Sequence, residues 1–575
     1  RFITKLPRRF PYPVTVCFGE PLPPGTPIHE VRSAVRELGT VAWEYRKADS
    51  RPICLAFIRR ARVRPFRFCM ADATRPRVSR MGALIGTIAI ARALRPYWEG
   101  QRRVGILLPP SVGGALVNIA AALVGRVSVN LNYTAGQRGM TSAARQAGLQ
   151  TVITSGMFVA KANLELPEGV EPIWLEDVAK GIGFGDRLAA LFLALFAPLR
   201  VLERASGSRG RMDADDVLTI IFSSGSTGEP KGVELTQFNI ETNVEGAAQV
   251  MQATQHDRIM GVLPFFHSFG YMATLWLAVN NSMAVVYHPN PLDAAVIGDL
   301  VQRYRLTVLI ATPTFLQLYI RRCTPAQFGS LRYVVAGAEK LSERGARAFT
   351  DHFGIGVHEG YGATECAPAV ALNAPDFRGP GYYQPAQRRT TVGQPLPGVS
   401  VRIVDPDTFE LLPPGEAGMI LVKGPNVMRG YLHRPDLTEK AMRGDWYVTG
   451  DIGMLDEDGF LTITDRLSRF SKIAGEMVPH GVVEEHLHEV AEVDDRVFAV
   501  VGVADERRGE RLAVVHTLEA EMIPGLIEEL AKRGLPNLYI PKKDDFIGIE
   551  ELPLLGSGKT DLRSVRRLVK EFLDD

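Results

Sequence analysis

One stretch constrains the chain more than any other. The run Val217–Phe222, VLTIIF, leads directly into Ser223-Ser224-Gly225-Ser226-Thr227-Gly228-Glu229-Pro230-Lys231-Gly232. Six apolar or β-branched residues bounded by turn residues read as a buried strand. The glycines behind it let the backbone close round phosphates, with N–H groups and Ser/Thr hydroxyls as donors. Lys231 adds a compact positive charge. The Walker A pattern requires glycine immediately before its lysine, and Pro230 stands there instead.

At 575 residues the chain exceeds what one core serves, so two or more domains are expected. Hydrophobic residues at 46% and charged residues at 23% exclude large-scale disorder. The five cysteines, Cys17, Cys54, Cys69, Cys323 and Cys366, form no C-x-x-C pair. That argues for reduced thiols and a cytoplasmic setting over a disulfide framework or a zinc site. The net charge of +2 hides an asymmetry: residues 1–103 alone carry a balance of +14. A solvated basic face and attraction to an anionic surface such as phospholipid both fit that excess. No nucleic-acid-binding motif accompanies it, so nucleic acid is not an expected partner. The apolar segment Leu188–Leu199, LAALFLALFAPL, is well short of the roughly 20 residues of a spanning helix. An interfacial helix is the favoured reading, with Glu203–Asp216 after it as a polar loop.

The fold class is α/β. Arg103–Leu108 reads as a strand, Val112–Val124 as a small-residue helix and Val127–Asn130 as a second strand, a βαβ rhythm. It recurs at Val217–Phe222, Met283–Val286, Val308–Ala311 and Tyr333–Ala336. Val399–Val404, Gly418–Val422 and Gly459–Thr464 are short strands with Gly/Pro turns, as in a small barrel. A basic stretch after Arg466 then leads to a separate α+β piece ending in the helix Arg563–Phe572. The expected division is 1–48, 49–466 and 467–575. The first piece holds a strand and turn, FPYPVTVCFGEPLPPG, and then a helix, and looks like the tail of another domain.

The loop resembles the phosphate loop of the adenylate-forming, AMP-binding superfamily, which includes acyl-CoA synthetases, adenylation domains and luciferases. Nine consecutive matches are more than an ordinary Gly/Ser linker would carry. Four further segments resemble that family's motifs in order: Tyr361-Gly362-Ala363-Thr364-Glu365, Tyr447-Val448-Thr449-Gly450-Asp451, Asp465-Arg466 and Leu555-Gly556-Ser557-Gly558-Lys559. The resemblance spans about residues 50–575 and implies a large domain of two βαβ-type subdomains and a small β-barrel, with a smaller mobile C-terminal domain. It implies ATP and Mg²⁺ as cofactors, the metal held by Thr227 and Glu365. Tyr361 and Gly362 would meet adenine, Thr364 the α-phosphate, Asp451 the ribose hydroxyls and Arg466 a ribose or phosphate oxygen. Gly337-Ala338-Glu339 would face the nucleotide. His267, in PFFHSFG, would stand beside the acyl pocket, although a histidine among aromatics is more often a core residue. Lys559 would be the catalytic lysine and Ser468 the hinge, where the family more often has Asp or Lys.

Within the superfamily, Gly424–Met428 with Gly430-Tyr431-Leu432, Arg469–Val478 and Pro553–Lys559 resemble the bifunctional acyl-[acyl-carrier-protein] synthetase/2-acylglycerophosphoethanolamine acyltransferase family. That implies activation of a fatty acid to acyl-AMP, transfer to the thiol of acyl carrier protein, and work at the inner face of the cell membrane. A long-chain acyl-CoA synthetase, with coenzyme A as acceptor, is the alternative enzyme; an idle lipid-surface or carrier-protein binder is the non-enzyme one. Arg469, Lys472, Arg507, Arg508 and Arg511 offer cations for an acidic carrier. Two look-alikes are set aside. GSGKT at 556–560 lacks the first P-loop glycine, and the His288-x4-Asp293 spacing falls inside the adenylating region.

Overall fold

The computed structural model describes residues 14–208, 212–223, 230–473, 476–493, 496–505, 508–533, 535–554 and 560–574. Two large sheets flanked by helices, a small antiparallel sheet and a separate C-terminal sheet make up the chain. This is the expected α/β architecture, a large N-terminal domain with a smaller C-terminal one.

The first sheet has seven strands. Their order is Gly430–Tyr431, Lys231–Thr236, Val217–Ser223, Val127–Asn130, Arg103–Leu107, Thr151–Thr154 and Glu171–Trp174. The last five pair in parallel, and the first two are antiparallel additions at one edge. The helix Val112–Leu123 is buried almost all round, which its Gly/Ala-rich sequence allows. Ser111 caps its start, accepting from the Gly114 N–H at 3.0 Å. Asn118 on this helix and Asn130 on its strand exchange two amide hydrogen bonds of 3.1 and 2.9 Å, so neither buried amide is orphaned.

The second sheet has nine strands. Six run parallel in the order Phe68–Ala71, Ala284–Tyr287, Arg258–Gly261, Val308–Ala311, Tyr333–Ala336 and Val357–Gly362. AVVY, VLIA and YVVA are buried on both faces, which is why their sequences show continuous apolar runs without alternation. The small sheet orders Ser400–Val404, Gly418–Lys423, Trp446–Leu455 and Met442–Arg443, with Leu461–Arg466 also on Trp446–Leu455. The final strand begins two residues later than the sequence reading placed it. Gly459, at φ +78°, belongs to the turn that reverses the chain.

Beyond Leu467, the strands Phe470–Ile473, Glu476–Pro479, Phe498–Asp505, Gly509–His516 and Phe546–Gly548 form a five-stranded sheet. Helices His480–Ala491 and Ile523–Lys532 share one apolar cluster with it; a second cluster includes Val565 and Val569 from helix Leu562–Asp574.

Two sequence expectations fail here. The described part of the expected strand and turn, residues 14–25, contains no strand, residues 10–13 lie outside the described residues, and the helix Ile28–Tyr45 packs on downstream elements. It lies on the small sheet: Thr40 Oγ1 meets Ser400 Oγ at 2.8 Å, and Glu37 pairs with Arg402 at 2.6 Å. Trp43 lies over Gly398, where a Cβ would fall 2.7 Å from the indole and φ is +85°, so only glycine fits. The apolar segment forms a helix over Phe184–Phe196, which stops because Ala197 precedes Pro198 and leaves the helical region. A second helix, Leu199–Ser206, then replaces the start of the expected loop, burying Leu202, Glu203 and Ser206. Among the described residues no helix is long and apolar enough to cross a membrane.

Candidate active site

The site gathers where several strands end. In sheets of this kind ligands bind beyond the carboxyl ends of parallel strands. Val217–Ser223 delivers the Gly/Ser loop there, Tyr333–Ala336 delivers Gly337-Ala338-Glu339, and Val357–Gly362 delivers Tyr361 through Glu365. Ser223 and Lys231 face each other across an antiparallel pair, so the loop leaves and re-enters the sheet at one place. Ser224, Gly225, Ser226, Thr227 and Gly228 lie outside the described residues, as does Lys559.

Tyr361 and Asp451 come from different sheets, ninety residues apart, and meet. The Tyr361 hydroxyl donates to Asp451 Oδ2 at 2.5 Å, which fixes the ring face beside the carboxylate. Burial, and then the Asp451 charge, push the Tyr361 phenol well above its ordinary range, so it stays a donor. Arg466 stands opposite Asp451 across the neighbouring strand, with Nε 3.2 Å from Oδ1. A flat ring, a carboxylate and a guanidinium thus converge, groups able to stack on a base and to hydrogen-bond hydroxyls. Gly362 is exposed beside them at the strand end.

Thr364 and Glu365 open a short 3₁₀ turn after that strand. Thr364 Oγ1 lies 3.3 Å from Ser268 Oγ, the residue after His267. His267 itself is exposed, while Phe265 and Phe266 on its N-terminal side are buried. The core-histidine reading therefore does not apply: the aromatics hold the segment and the imidazole stands at the surface of the site. Glu365 Oε1 accepts from the Tyr431 hydroxyl at 2.8 Å, and its carbonyl accepts from the Met428 N–H at 2.7 Å. Lys231 Nζ lies 5.4 Å from the Tyr431 ring centroid, a cation–π distance. Tyr431 so links the end of the phosphate-loop hairpin to the carboxylate expected at the metal. It sits in the Gly430-Tyr431-Leu432 motif, whose sequence signals a family and no role for the tyrosine.

These residues fit a magnesium-bound nucleotide. Among the described residues no cluster of three or more His, Cys, Asp or Glu could hold a metal. Mg²⁺ needs none, since it binds through one or two carboxylates, waters and substrate phosphates. Tyr431→Phe removes the donor that orients Glu365. It is expected to raise the Mg²⁺ concentration for half-maximal activity about tenfold, the usual scale for such outer partners. An unchanged Mg²⁺ titration would remove Tyr431 from the site.

Ala338 adopts φ +71°, the left-handed region that non-glycine residues occupy uncommonly. Gly337 is buried under Phe269. Glu339 Oε2 accepts from the Thr314 hydroxyl at 2.6 Å, while Oε1 is buried with no protein partner among the described residues. Sequence reasoning missed the groups that join this loop to the C-terminal domain: Arg496 reaches Glu339 at 3.5 Å and Lys340 pairs with Glu485 at 2.8 Å. Nothing in the sequence marks them, because each pair joins distant segments. It also missed Glu359, which burial raises to about 7 and which accepts from the Leu341 N–H.

At the domain junction, Asp465 accepts from the Arg466 and Gly481 N–H groups at 2.8 and 2.6 Å. Ser468 lies in the 3₁₀ turn Leu467–Arg469. Arg469 is held by Glu484 at 2.6 Å, and Arg511 is paired with Asp545. Both were expected to be available to an acidic carrier, and both are already matched. Lys472 and Arg508 are exposed, and Arg507 lies outside the described residues. The set-aside His288 and Asp293 do pair, at 2.9 Å, where Asp293 precedes the helix Ala294–Tyr304.

A part-buried tyrosine–aspartate pair at the strand ends, on this two-domain frame, is the arrangement of an ATP-dependent acid-activating class of enzyme. The chain belongs to the AMP-binding enzyme family, which matches residues 88–432. It is an enzyme of the AMP-forming acid–thiol ligase class and uses ATP with magnesium. A feruloyl-CoA synthase of an Amycolatopsis species is 32% identical over 358 residues, 61% of this chain and 70% of that one. An indoleacetate–CoA ligase of Aromatoleum aromaticum is 31% identical over 417 residues, 69% of this chain and 78% of that one. A long-chain-fatty-acid–CoA ligase of Bacillus subtilis is 30% identical over 364 residues, 62% of each chain. Among solved structures, ATP-bound MatB from Rhodopseudomonas palustris superposes with a TM-score of 0.74 at 25% identity, covering 90% of this chain and 99% of that one. O-succinylbenzoate coenzyme A synthetase of Bacillus subtilis with ATP and magnesium gives 0.74 at 23%, covering 89% and 99%, a likeness of fold.

Proposed function

We propose that the chain activates a long-chain fatty acid as acyl-AMP and passes the acyl group to the phosphopantetheine thiol of acyl carrier protein, in phospholipid acyl-chain remodelling at an anionic membrane surface. The observation that carries the reading is the meeting of Tyr361, Asp451 and Arg466 beside Thr364, Glu365 and Lys231. The fatty carboxylate attacks the α-phosphorus of ATP, forming the acyl–phosphate bond as pyrophosphate leaves. The thiol then attacks the acyl carbonyl; its proton goes to solvent and AMP leaves. Tyr361 and Asp451 hold adenosine so that the α-phosphate lies near Thr364, and Lys231 with the loop hydroxyls holds the outer phosphates. Glu365 and Thr227 would hold magnesium, which would supply positive charge against the phosphates. His267 borders the acyl side, and Lys559 supplies charge at the reacting oxygens when the C-terminal domain turns near Ser468.

Support for a fatty acid comes from the carrier-protein-synthetase motifs and from the long-chain relative. The membrane clause rests on the basic balance of residues 1–103. Support for the carrier as acceptor is the exposed Lys472 and Arg508. The second reading is a long-chain acyl-CoA synthetase, favoured because the three relatives named above all act with coenzyme A by name. Thioester formation with each acceptor at matched thiol concentration separates the two. Carrier protein is expected to be used at least several-fold faster; preference for coenzyme A would establish the second reading.

A further inference from the structure

We propose that helix Phe184–Phe196, with the arginine-rich end of helix Cys54–Val63, forms a docking surface for an anionic phospholipid bilayer. This deepens the membrane clause above and rests on it. A surface helix ordinarily buries its large apolar residues and presents polar ones. Here the order is reversed. Ala190 and Ala194 are fully buried against the helix Arg80–Leu94, whereas Phe184, Phe192 and Phe196 are 82%, 65% and 68% exposed. Phe184, Leu188, Phe192 and Phe196 recur every four residues, so they share one outward face. Thirteen residues give roughly 20 Å, too short to span a bilayer and suited to lying in its interface.

The end of this helix is prepared for a place without water. Terminal helix carbonyls ordinarily depend on solvent or caps, and an unsatisfied one is costly next to hydrocarbon. The Arg62 guanidinium, from the helix Cys54–Val63, donates to the carbonyls of Leu193, Ala194 and Ala197 at 3.3, 2.7 and 2.6 Å. It thereby ties the two helix ends together.

The surroundings match a negative surface. Arg187 on the helix, Arg200 just after it, and Arg59, Arg60 and Arg64 at the end of the helix Cys54–Val63 are exposed, Arg60 donating to Ser282 and Arg64 to Gln255. Asp186, the one acid on the helix, is engaged by the Gly183 N–H at its start. Past the end of the arginine-rich helix, Phe66 is 86% exposed at the rim of a cavity of about 440 Å³ lined by Arg67, Arg77 and Arg258. Asp257, also in its wall, is already matched by Arg332. Such a cavity suits a phosphate headgroup. A second copy of this chain is a poor occupant, because a two-fold contact would set these arginines against themselves.

The test is co-sedimentation of the full chain with vesicles of phosphatidylcholine alone or mixed equally with phosphatidylglycerol. Retention is expected on the mixed vesicles only, and is expected to fall as salt rises. Phe192→Ser with Phe196→Ser, and separately Arg59→Glu with Arg77→Glu, should each weaken it about tenfold or more. Acid-dependent pyrophosphate exchange without vesicles should be unchanged in both. Equal retention on neutral vesicles, no retention at low salt, or retention indifferent to both variants would overturn the proposal. So would a concentration-dependent dimer abolished by the phenylalanine variant. Exchange without retention rejects the docking surface and leaves acid activation standing; retention without exchange does the reverse.

Discussion

Lys559→Ala is expected to slow acyl-adenylate formation by about 10²–10³-fold, and to leave thioester formation from pre-made acyl-AMP nearly unchanged. The lysine stands in a glycine-flanked loop far in sequence from the phosphate loop, and in the proposed mechanism the turning C-terminal domain delivers it. A charge presented only while pyrophosphate leaves stabilises only that step. The contacts between the domains suit a part that moves. Lys340–Glu485 is half exposed, and Arg496–Glu339 is long although the Glu339 side chain is buried. An exposed pair such as Lys340–Glu485 holds weakly, typically by well under about 1 kcal/mol. The two half-reactions are measured separately, by pyrophosphate exchange and by single-turnover thioester formation. Equal losses in both would reject a lysine specific to adenylation.

The second large effect concerns stability. Asp257 is buried just before the strand Arg258–Gly261 and accepts from Arg332 Nε and a second guanidinium nitrogen, both at 2.7 Å. The Thr254 N–H and hydroxyl and the Thr307 hydroxyl complete its partners. Burial opposes its charge, but the Arg332 bond and the other donors outweigh burial and hold the carboxyl at about 2, below its ordinary 3.8. Since the folded value is the lower one, the stabilisation is fully present above about 4. It is lost as pH falls from there through about 2. Asp257→Ala leaves Arg332, Thr254 and Thr307 without their acceptor. Arg332 is exposed and can be solvated, so the cost at neutral pH is expected to be about 1–3 kcal/mol, chiefly from the stranded donors around the buried carboxylate site. Urea unfolding followed by tryptophan fluorescence measures this. The difference between wild type and variant should shrink below about pH 3; a constant difference would contradict the assignment.

The strands were readable because each is a short apolar run between turns: Val308–Ala311 and Tyr333–Ala336 fall where the residues alone place them. The candidate site segments were picked out through motif order, and of their residues Tyr361 and Asp451 do meet. Tertiary pairing left weaker traces. Tyr431 carries a motif but no hint that its hydroxyl turns to Glu365. The Arg469–Glu484 and Arg511–Asp545 pairs, which occupy cations that looked free, depend on packing that a linear charge count does not register. Helix Phe184–Phe196 was visible as apolar. Its reversed face was not, since periodicity alone does not say which side the protein covers.

The most direct test of the account is acid-dependent exchange of pyrophosphate into ATP by the purified chain, with palmitate, ferulate and indoleacetate each supplied in turn. The account predicts Mg²⁺-dependent exchange with palmitate well above that with either aromatic acid, and little in Asp451→Ala. No exchange with any acid, or faster exchange with an aromatic acid than with palmitate, would contradict it.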